Sequence, residues 1–302
     1  MTALARYTAR PAAPGAHALG EGPVWDPDRE RLLWVDIVAH AVHEGRLDPD
    51  AGTITRTGTA TFETTVGAVA VAAAGDLLVA ERRVLTRVAP DGSRSFVARV
   101  LPEDHTGRLN DGAVDPAGRF LIGSMAEDGR RGGEILARLD RDGVTVLDDD
   151  LDLSNGLAWS PSGDRLYSVD TIPGLIRVRD YDPATGAVGE RRDWVAIGDG
   201  LPDGMCADAE GNLWIAVWGG SRVECRGPGG DLRAVVAVDA PHTSSVAFAG
   251  PDLDVLVITT AAHGLAPADL ARHPSSGRLF TARVGVAGLP TAYWDPACAP
   301  SS

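Results

Sequence analysis

The stretch GPVWDPDRERLLWVDI (22–37) places two apolar segments, PVW and LLWVD, on either side of the turn-rich run DPDRER. Apolar residues that run into a Pro/Asp turn and resume beyond it read as a β-hairpin. The arrangement returns as GAVAVAAAGDLLVAE (67–81), GAVDPAGRFLIGSM (112–125), GLAWSPSGDRLYSVD (156–170), GMCADAEGNLWIAVW (204–218) and SVAFAGPDLDVLVITT (245–260). Successive starts are 45, 45, 44, 48 and 41 residues apart. Short strands at such a period are the signature of a propeller. A second turn signal follows each copy: DPDAG (48–52), PDG (90–92), DRDG (140–143), DPATG (182–186), GPGG (227–230) and PSSG (274–277). Each repeat therefore reads as two hairpins. The expected fold is all-β, a six-bladed β-propeller with four antiparallel strands per blade. One domain is expected over 1–302, with the repeat core at about 19–290. A single helical turn is expected only near Pro267–Arg272. Residues 4–8 are expected to pair with 279–284, because an unpaired sheet edge invites association.

Composition narrows the function. The 302 residues carry 28 basic and 42 acidic side chains, a net charge of −14. Nucleic-acid binding needs a basic face, so that class is set aside. Cys206, Cys225 and Cys298 are too few and too scattered for a disulfide framework or a zinc ribbon. The first twenty residues lack an apolar run of signal-peptide length, and no stretch approaches a membrane span. The expectation is a cytoplasmic protein with no membrane partner, a monomer or weak homo-oligomer.

Equivalent repeat positions lie at equivalent places around a propeller axis. The residue just before each repeat start is Glu21, Val66, Asp111, Asn155, Asp203 and Ser244 in turn, with Asn110 beside Asp111. Asp-Gly and Asn-Gly also form turns, which is the bland reading of Asp111, Asn155 and Asp203. Glu21 before Gly22 does not fit it, and neither does the shared phase. Three carboxylates on one axis repel one another unless a cation is present. Oxygen-only donors suit calcium or magnesium, with manganese an option, while zinc and iron also accept carboxylates. The seven histidines show no metal-ligand spacing, and no G-x-S-x-G nucleophile elbow is present. His105 and His242 lie near ring motifs. Trp25, Trp159 and Trp214 sit at matching repeat positions and read as core, and Cys206 as an inert buried thiol.

LGEGPVWDP (19–27), RLNDGAVDPAGRFLIGSM (108–125), SNGLAWSPSGDRLYSVDT (154–171) and PDGMCADAEGNLWIAVWGG (202–220) resemble motifs of the SMP-30/gluconolactonase/LRE family, the regucalcin-like sugar lactonases. GPDLDVLVITTA (250–261) and VGVAGLP (284–290) extend the resemblance over 19–290. It implies a six-bladed propeller with one divalent metal cation in the central channel, held by Glu21, Asn155 and Asp203. It implies substrate contacts from Arg108, Asn110 and Asp128, with Asp203 as the catalytic base. The implied reaction is hydrolysis of a sugar (aldono-) lactone to the aldonic acid, the metal polarising the lactone carbonyl. Calcium is the first choice of metal, with zinc, manganese, magnesium and iron as alternatives. A metal-bound hydroxide in place of Asp203 as base, a phosphotriester hydrolase on the same scaffold, and a non-enzymatic calcium-binding propeller stay open. Two departures bear on substrate: Cys225–Arg226 where the family often has Arg-Tyr, and Thr243–Ser244–Ser245 where many members read Pro-Thr-Ser.

Overall fold

Asp-rich turns close the hairpins as the sequence implies. Asp115 accepts the backbone N–H groups of Ala117 and Arg119, both at 2.9 Å, and Asp208 accepts those of Glu210 and Asn212 at 3.0 and 2.9 Å. A side chain that satisfies turn amides competes with extended structure and ends a strand where it stands. The computed structural model describes residues 4–300. Its first four antiparallel sheets each follow one sequence repeat. The first holds Gly20–Asp26, Arg31–Asp36, Ala41–Asp48 and Thr53–Thr61, and the second Val66–Val71, Leu77–Glu81, Val84–Val88 and Arg94–Arg99. The third holds Arg108–Val114, Phe120–Met125, Glu134–Asp140 and Gly143–Leu151, and the fourth Ser154–Trp159, Arg165–Asp170, Leu175–Asp180 and Arg192–Ala196.

The fold is an all-β propeller, but the expected six separate blades of four antiparallel strands are not what its hydrogen bonds make. Among the described residues the last two repeats merge into one nine-stranded sheet. It contains Leu201–Ala207, Leu213–Trp218, Arg222–Arg226, Leu232–Ala237, His242–Ala249, Val255–Ala261 and Phe280–Arg283, together with Ala5–Thr8 and Arg10–Pro11. A bridge between Trp218 and His242 makes the join. The last repeat supplies no fourth strand of its own, because the helix Pro267–Arg272 and a turn occupy the chain before Phe280. Arg10–Pro11 takes that edge instead, pairing with Thr281 and Phe280. Ala5–Thr8 pairs in parallel with residues 234–237, not with 279–284, so the sheet is not wholly antiparallel.

The first strand of each repeat packs on the first strand of the next, and His242–Ala249 returns to Gly20–Asp26. These inner strands are covered on both faces, so Ser154–Trp159 is buried at every position. Outer strands alternate, as in Ala5–Thr8. The core lies between neighbouring sheets: Ala68, Ala70 and Leu78 of the second pack with Leu109, Phe120 and Ile122 of the third. Small residues let the inner strands approach closely. A Cβ on Gly156 would stand 2.4 Å from the Asp203 carbonyl oxygen and 3.0 Å from the Met205 nitrogen. This glycine, part of an Asn-Gly pair for which a turn is the bland sequence reading, is required by contact between neighbouring inner strands. Gly156→Ala is expected to lower stability by about 1–3 kcal/mol, the usual range for overpacking, measured as a lower urea midpoint.

Candidate active site

Every inner strand carries a one-residue bulge at or directly beside the repeat start. The register slips between Glu21 and Val24, Val66 and Ala68, Leu109 and Gly112, Asn155 and Leu157, Pro202 and Met205, and Thr243 and Ser245. A bulge leaves one residue out of the ladder and re-aims its side chain. Glu21, Asn155 and Asp203 stand in or directly before these bulges, on the wall of a cavity of about 710 Å³. Asp36 and Asp170 steady two of the approaches. Asp36 accepts the amides of Ala18 and Leu19 at 2.8 and 3.0 Å, and Asp170 those of Asp152 and Leu153 at 3.1 and 3.2 Å.

The amide of Asn155 is oriented by its donors. Nδ2 donates to Asp203 Oδ1 and to Thr171 Oγ1, the latter at 3.1 Å, and Thr171 donates onward to the Pro202 carbonyl at 2.9 Å. With both hydrogens committed, Oδ1 is left buried and without a hydrogen-bond partner among the described residues. Burial pushes Glu21 and Asp203 well above ordinary carboxylate values; the charges of Asp203 and Asp111 add to the effect on Glu21, and that of Asp111 to the effect on Asp203. An unpartnered amide oxygen beside two mutually repelling carboxylates fits a hard cation, which would satisfy the first and neutralise the second. Among the described residues no cluster of three or more His, Cys, Asp or Glu side chains could hold a metal; the candidate set is two carboxylates and an amide.

The other ring positions differ. Asp111 is raised to about 6, chiefly by burial, and lines a separate cavity of about 370 Å³ with Trp25, Trp159 and Cys206. Ser244 is buried and satisfied, donating to the Gly20 carbonyl at 2.5 Å, and Val66 is core.

Arg108 and Asn110 line the larger cavity. Arg108 is buried and donates through Nη1 to Asn110 Oδ1 at 2.7 Å and the Leu109 carbonyl at 3.1 Å. Burial lowers its pKa to about 10, against the pull of Glu127 and Glu21. Asn110 Nδ2 donates to the Ser154 carbonyl at 3.1 Å, so this amide ties Arg108 to the strand that carries Asn155. Asp128 is not brought to the cavity. Its carboxylate accepts from Thr106 Oγ1 at 2.6 Å and the Arg130 amide at 3.1 Å on the exposed side of the loop. Its neighbour Glu127 lines the cavity instead, ion-paired with Arg82 and 3.9 Å from Arg108 Nε. The shift of one residue lies in the sequence EDGRRGGE (127–134), whose alternation gives no strand phase to choose between adjacent acids. His242 does not line the cavity but stacks on Trp218, which does. Thr171 was not singled out from sequence; its only signal is that it follows Val169–Asp170, as Ile37 follows Val35–Asp36.

The family model described as SMP-30/Gluconolactonase/LRE-like region matches residues 19–262. The chain belongs to this family. It is 38% identical to a pentonolactonase of Haloferax volcanii over 90% of this chain and 93% of that one. It is 34% identical to regucalcin of Xenopus laevis over 92% and 95% of the two chains. A crystal structure described as a calcium-binding protein, regucalcin, from Agrobacterium tumefaciens superposes with a TM-score of 0.90 at 26% identity, covering 98% of this chain and all of that one. A gluconolactonase of Xanthomonas campestris gives 0.69 at 26% identity, covering 89% and 86%. Among the described residues no helix is long and apolar enough to cross a membrane.

The carboxylates make a family site of this kind sensitive to pH. An unfolded aspartate ionises near pH 4, whereas folded Asp111 ionises at about 6. Between those values the unfolded chain is the more ionised, so metal-free protein loses stability as pH rises through that window. Asp111→Asn is expected to stabilise metal-free protein at pH 7 by about 3 kcal/mol and to flatten the slope. A divalent cation at a hundredfold excess over its Kd is expected to add about 2.7 kcal/mol. Urea unfolding from pH 4 to 7, with chelator or with calcium, measures both.

Proposed function

We propose that the protein is a divalent-cation-dependent lactonase that opens a sugar lactone to the aldonic acid in the cavity of about 710 Å³. The observation that carries this reading is the unpartnered Asn155 Oδ1 beside Glu21 and Asp203 on the wall of that cavity. Relatives named pentonolactonase and gluconolactonase support the reaction class. Glu21, Asn155 and Asp203 would hold the cation, which when bound supplies Lewis-acid polarisation of the lactone carbonyl. Calcium is the proposed ion, because every donor is oxygen and a relative of the same fold is described as calcium-binding.

The chain's own groups do the rest. Lactone opening adds water to the carbonyl carbon, breaks the ring C–O bond and returns a proton to the departing alkoxide. Asp203 Oδ1 is engaged by Asn155, so Oδ2 is the atom assigned to take the proton from water and return it. Thr171 and Asn155 hold that carboxylate in place. Arg108, fixed by Asn110, presents a planar donor to the substrate's ring and hydroxyl oxygens. Glu127 replaces Asp128 as the acceptor for a sugar hydroxyl.

Chelator is expected to abolish turnover and added calcium to restore it. Asp203→Asn retains an oxygen donor but no base, and a fall in kcat of about 10²–10⁴-fold is expected, the usual share of general acid–base catalysis. Glu127→Ala is expected to raise KM about tenfold, the scale of one lost hydrogen bond to a charged group. Asp128→Ala is expected to leave KM unchanged. A pH-stat assay of released acid reads all four; full activity in Asp203→Asn removes the proposed base.

A further inference from the structure

We propose that the smaller cavity, of about 370 Å³, is a second ligand site that takes a small organic ammonium ion, its charged head on the Asp111 carboxylate and its hydrocarbon tail among the inner strands. This site is separate from the lactone cavity and does not depend on the lactonase reading.

The two cavities follow one another along the same inner strands. Arg108–Val114 gives Arg108 and Asn110 to the larger cavity and Asp111–Val114 to the smaller. Ser154–Trp159 gives Asn155 to the larger and Leu157–Trp159 to the smaller, and Leu201–Ala207 gives Asp203 to the larger and Met205–Ala207 to the smaller. All six inner strands line the smaller cavity, so it is the far end of the central channel. The exposed residues Pro116, Pro161 and Pro290 form part of its rim, so a ligand enters from the side away from Glu21, Asn155 and Asp203.

The lining is hydrocarbon with one charge in it. Val69, Val114, Leu157, Met205, Val246 and Phe248 supply apolar surface. Asp111 is the one charged lining residue, since burial keeps the Cys206 thiol neutral. The Asp111 carboxylate accepts a single hydrogen bond, from the Gly112 amide at 2.8 Å, and among the described residues no basic side chain pairs with it. Arg108, the buried cation of the channel, turns to Asn110 and Glu127 instead. A divalent cation held by Glu21 and Asp203 would offset those two charges and leave that of Asp111 over. An unpaired carboxylate in apolar surroundings is costly. A monocation that carries its own hydrocarbon removes that cost and takes apolar surface out of water as well. The strand from Asp111 to Val114 runs about 10 Å, which gives room for a short tail, and the cavity volume lies in the range of small-molecule sites. Neutral amphiphiles leave the charge unmet, and anionic ones oppose it.

The two sites are coupled through charge. Asp111 acts on both Glu21 and Asp203, so an ammonium seated on it makes the larger cavity less attractive to a divalent cation. By linkage the divalent cation weakens the ammonium by the same factor.

Calorimetry on the full chain at neutral pH compares n-hexylammonium, 1-hexanol, hexanoate and methylammonium. n-Hexylammonium is expected to bind at one site, and the other three about tenfold more weakly or less tightly still, each lacking either the positive charge or the tail. Asp111→Asn is expected to weaken n-hexylammonium about tenfold or more and to leave 1-hexanol unchanged, with urea unfolding to verify that the variant is folded. Added calcium is expected to weaken n-hexylammonium about fivefold and then to have no further effect, because both cations are bound at once. The proposal is overturned by n-hexylammonium that binds no more tightly than 1-hexanol, or by an Asp111→Asn variant that keeps its affinity. Weakening that grows without limit as calcium rises also overturns it, because the two cations then share one site. If calcium does not bind, the metal reading fails by itself, and the four compounds with Asp111→Asn still decide the second site. If Asp111→Asn does not fold, the four compounds on wild type decide it.

Discussion

A buried amide oxygen with no donor among the described residues, on a cavity wall shared with two carboxylates whose charges oppose each other, is the constraint around which this propeller is organised. Such a group is costly unless something positive meets it. The scaffold nonetheless holds it firmly. Asn155 is turned by donating to Asp203 and Thr171, and Thr171 is tied to the Pro202 carbonyl. Asp170 fastens the backbone that leads into Asn155, and Asp36 does the same two residues ahead of Glu21. A repeated one-residue bulge leaves Asp203 out of its ladder and follows directly after the paired Glu21 and Asn155. Local ladder pairing is given up at the same place in every repeat, where the inner strands line the channel.

The sheets around that centre are not equivalent, and the difference is chemical. The third sheet carries Arg108, Asn110 and the loop with Glu127, a dense set of directed donors and acceptors. The nine-stranded sheet carries Asp203, Leu201 and Trp218, the last stacked on His242. The bridge that merges the last two repeats is therefore also what fixes one wall of the cavity. Asp111 shares the ring phase but lines the smaller cavity, so the acidic ring serves two separate spaces.

Much of the centre was legible before folding was considered. Glu21, Asn155 and Asp203 stand at one phase of a repeat of about 45 residues, and a propeller turns shared phase into shared position. Phase could not say which member of the ring faces which cavity, because a bulge can turn a side chain toward either. It could not choose Glu127 over Asp128 either. That choice is made in a loop where Asp128 is held outward by Thr106, a residue twenty-two positions earlier in the chain. Periodicity reported the hairpins and was blind to hydrogen bonds between repeats, so the six separate sheets it implied became four and a merged one.

By itself, then, the sequence determined the hairpins, their repetition and the shared phase of Glu21, Asn155 and Asp203, because turn chemistry and strand alternation act over a few residues. Tertiary structure alone decided the strand pairings of Ala5–Thr8 and Arg10–Pro11, the union at Trp218 and His242, and the sidedness of the cavity. Each of these joins segments far apart in the chain or in different repeats. Their energy comes from burying backbone groups and apolar faces against partners that no local pattern specifies.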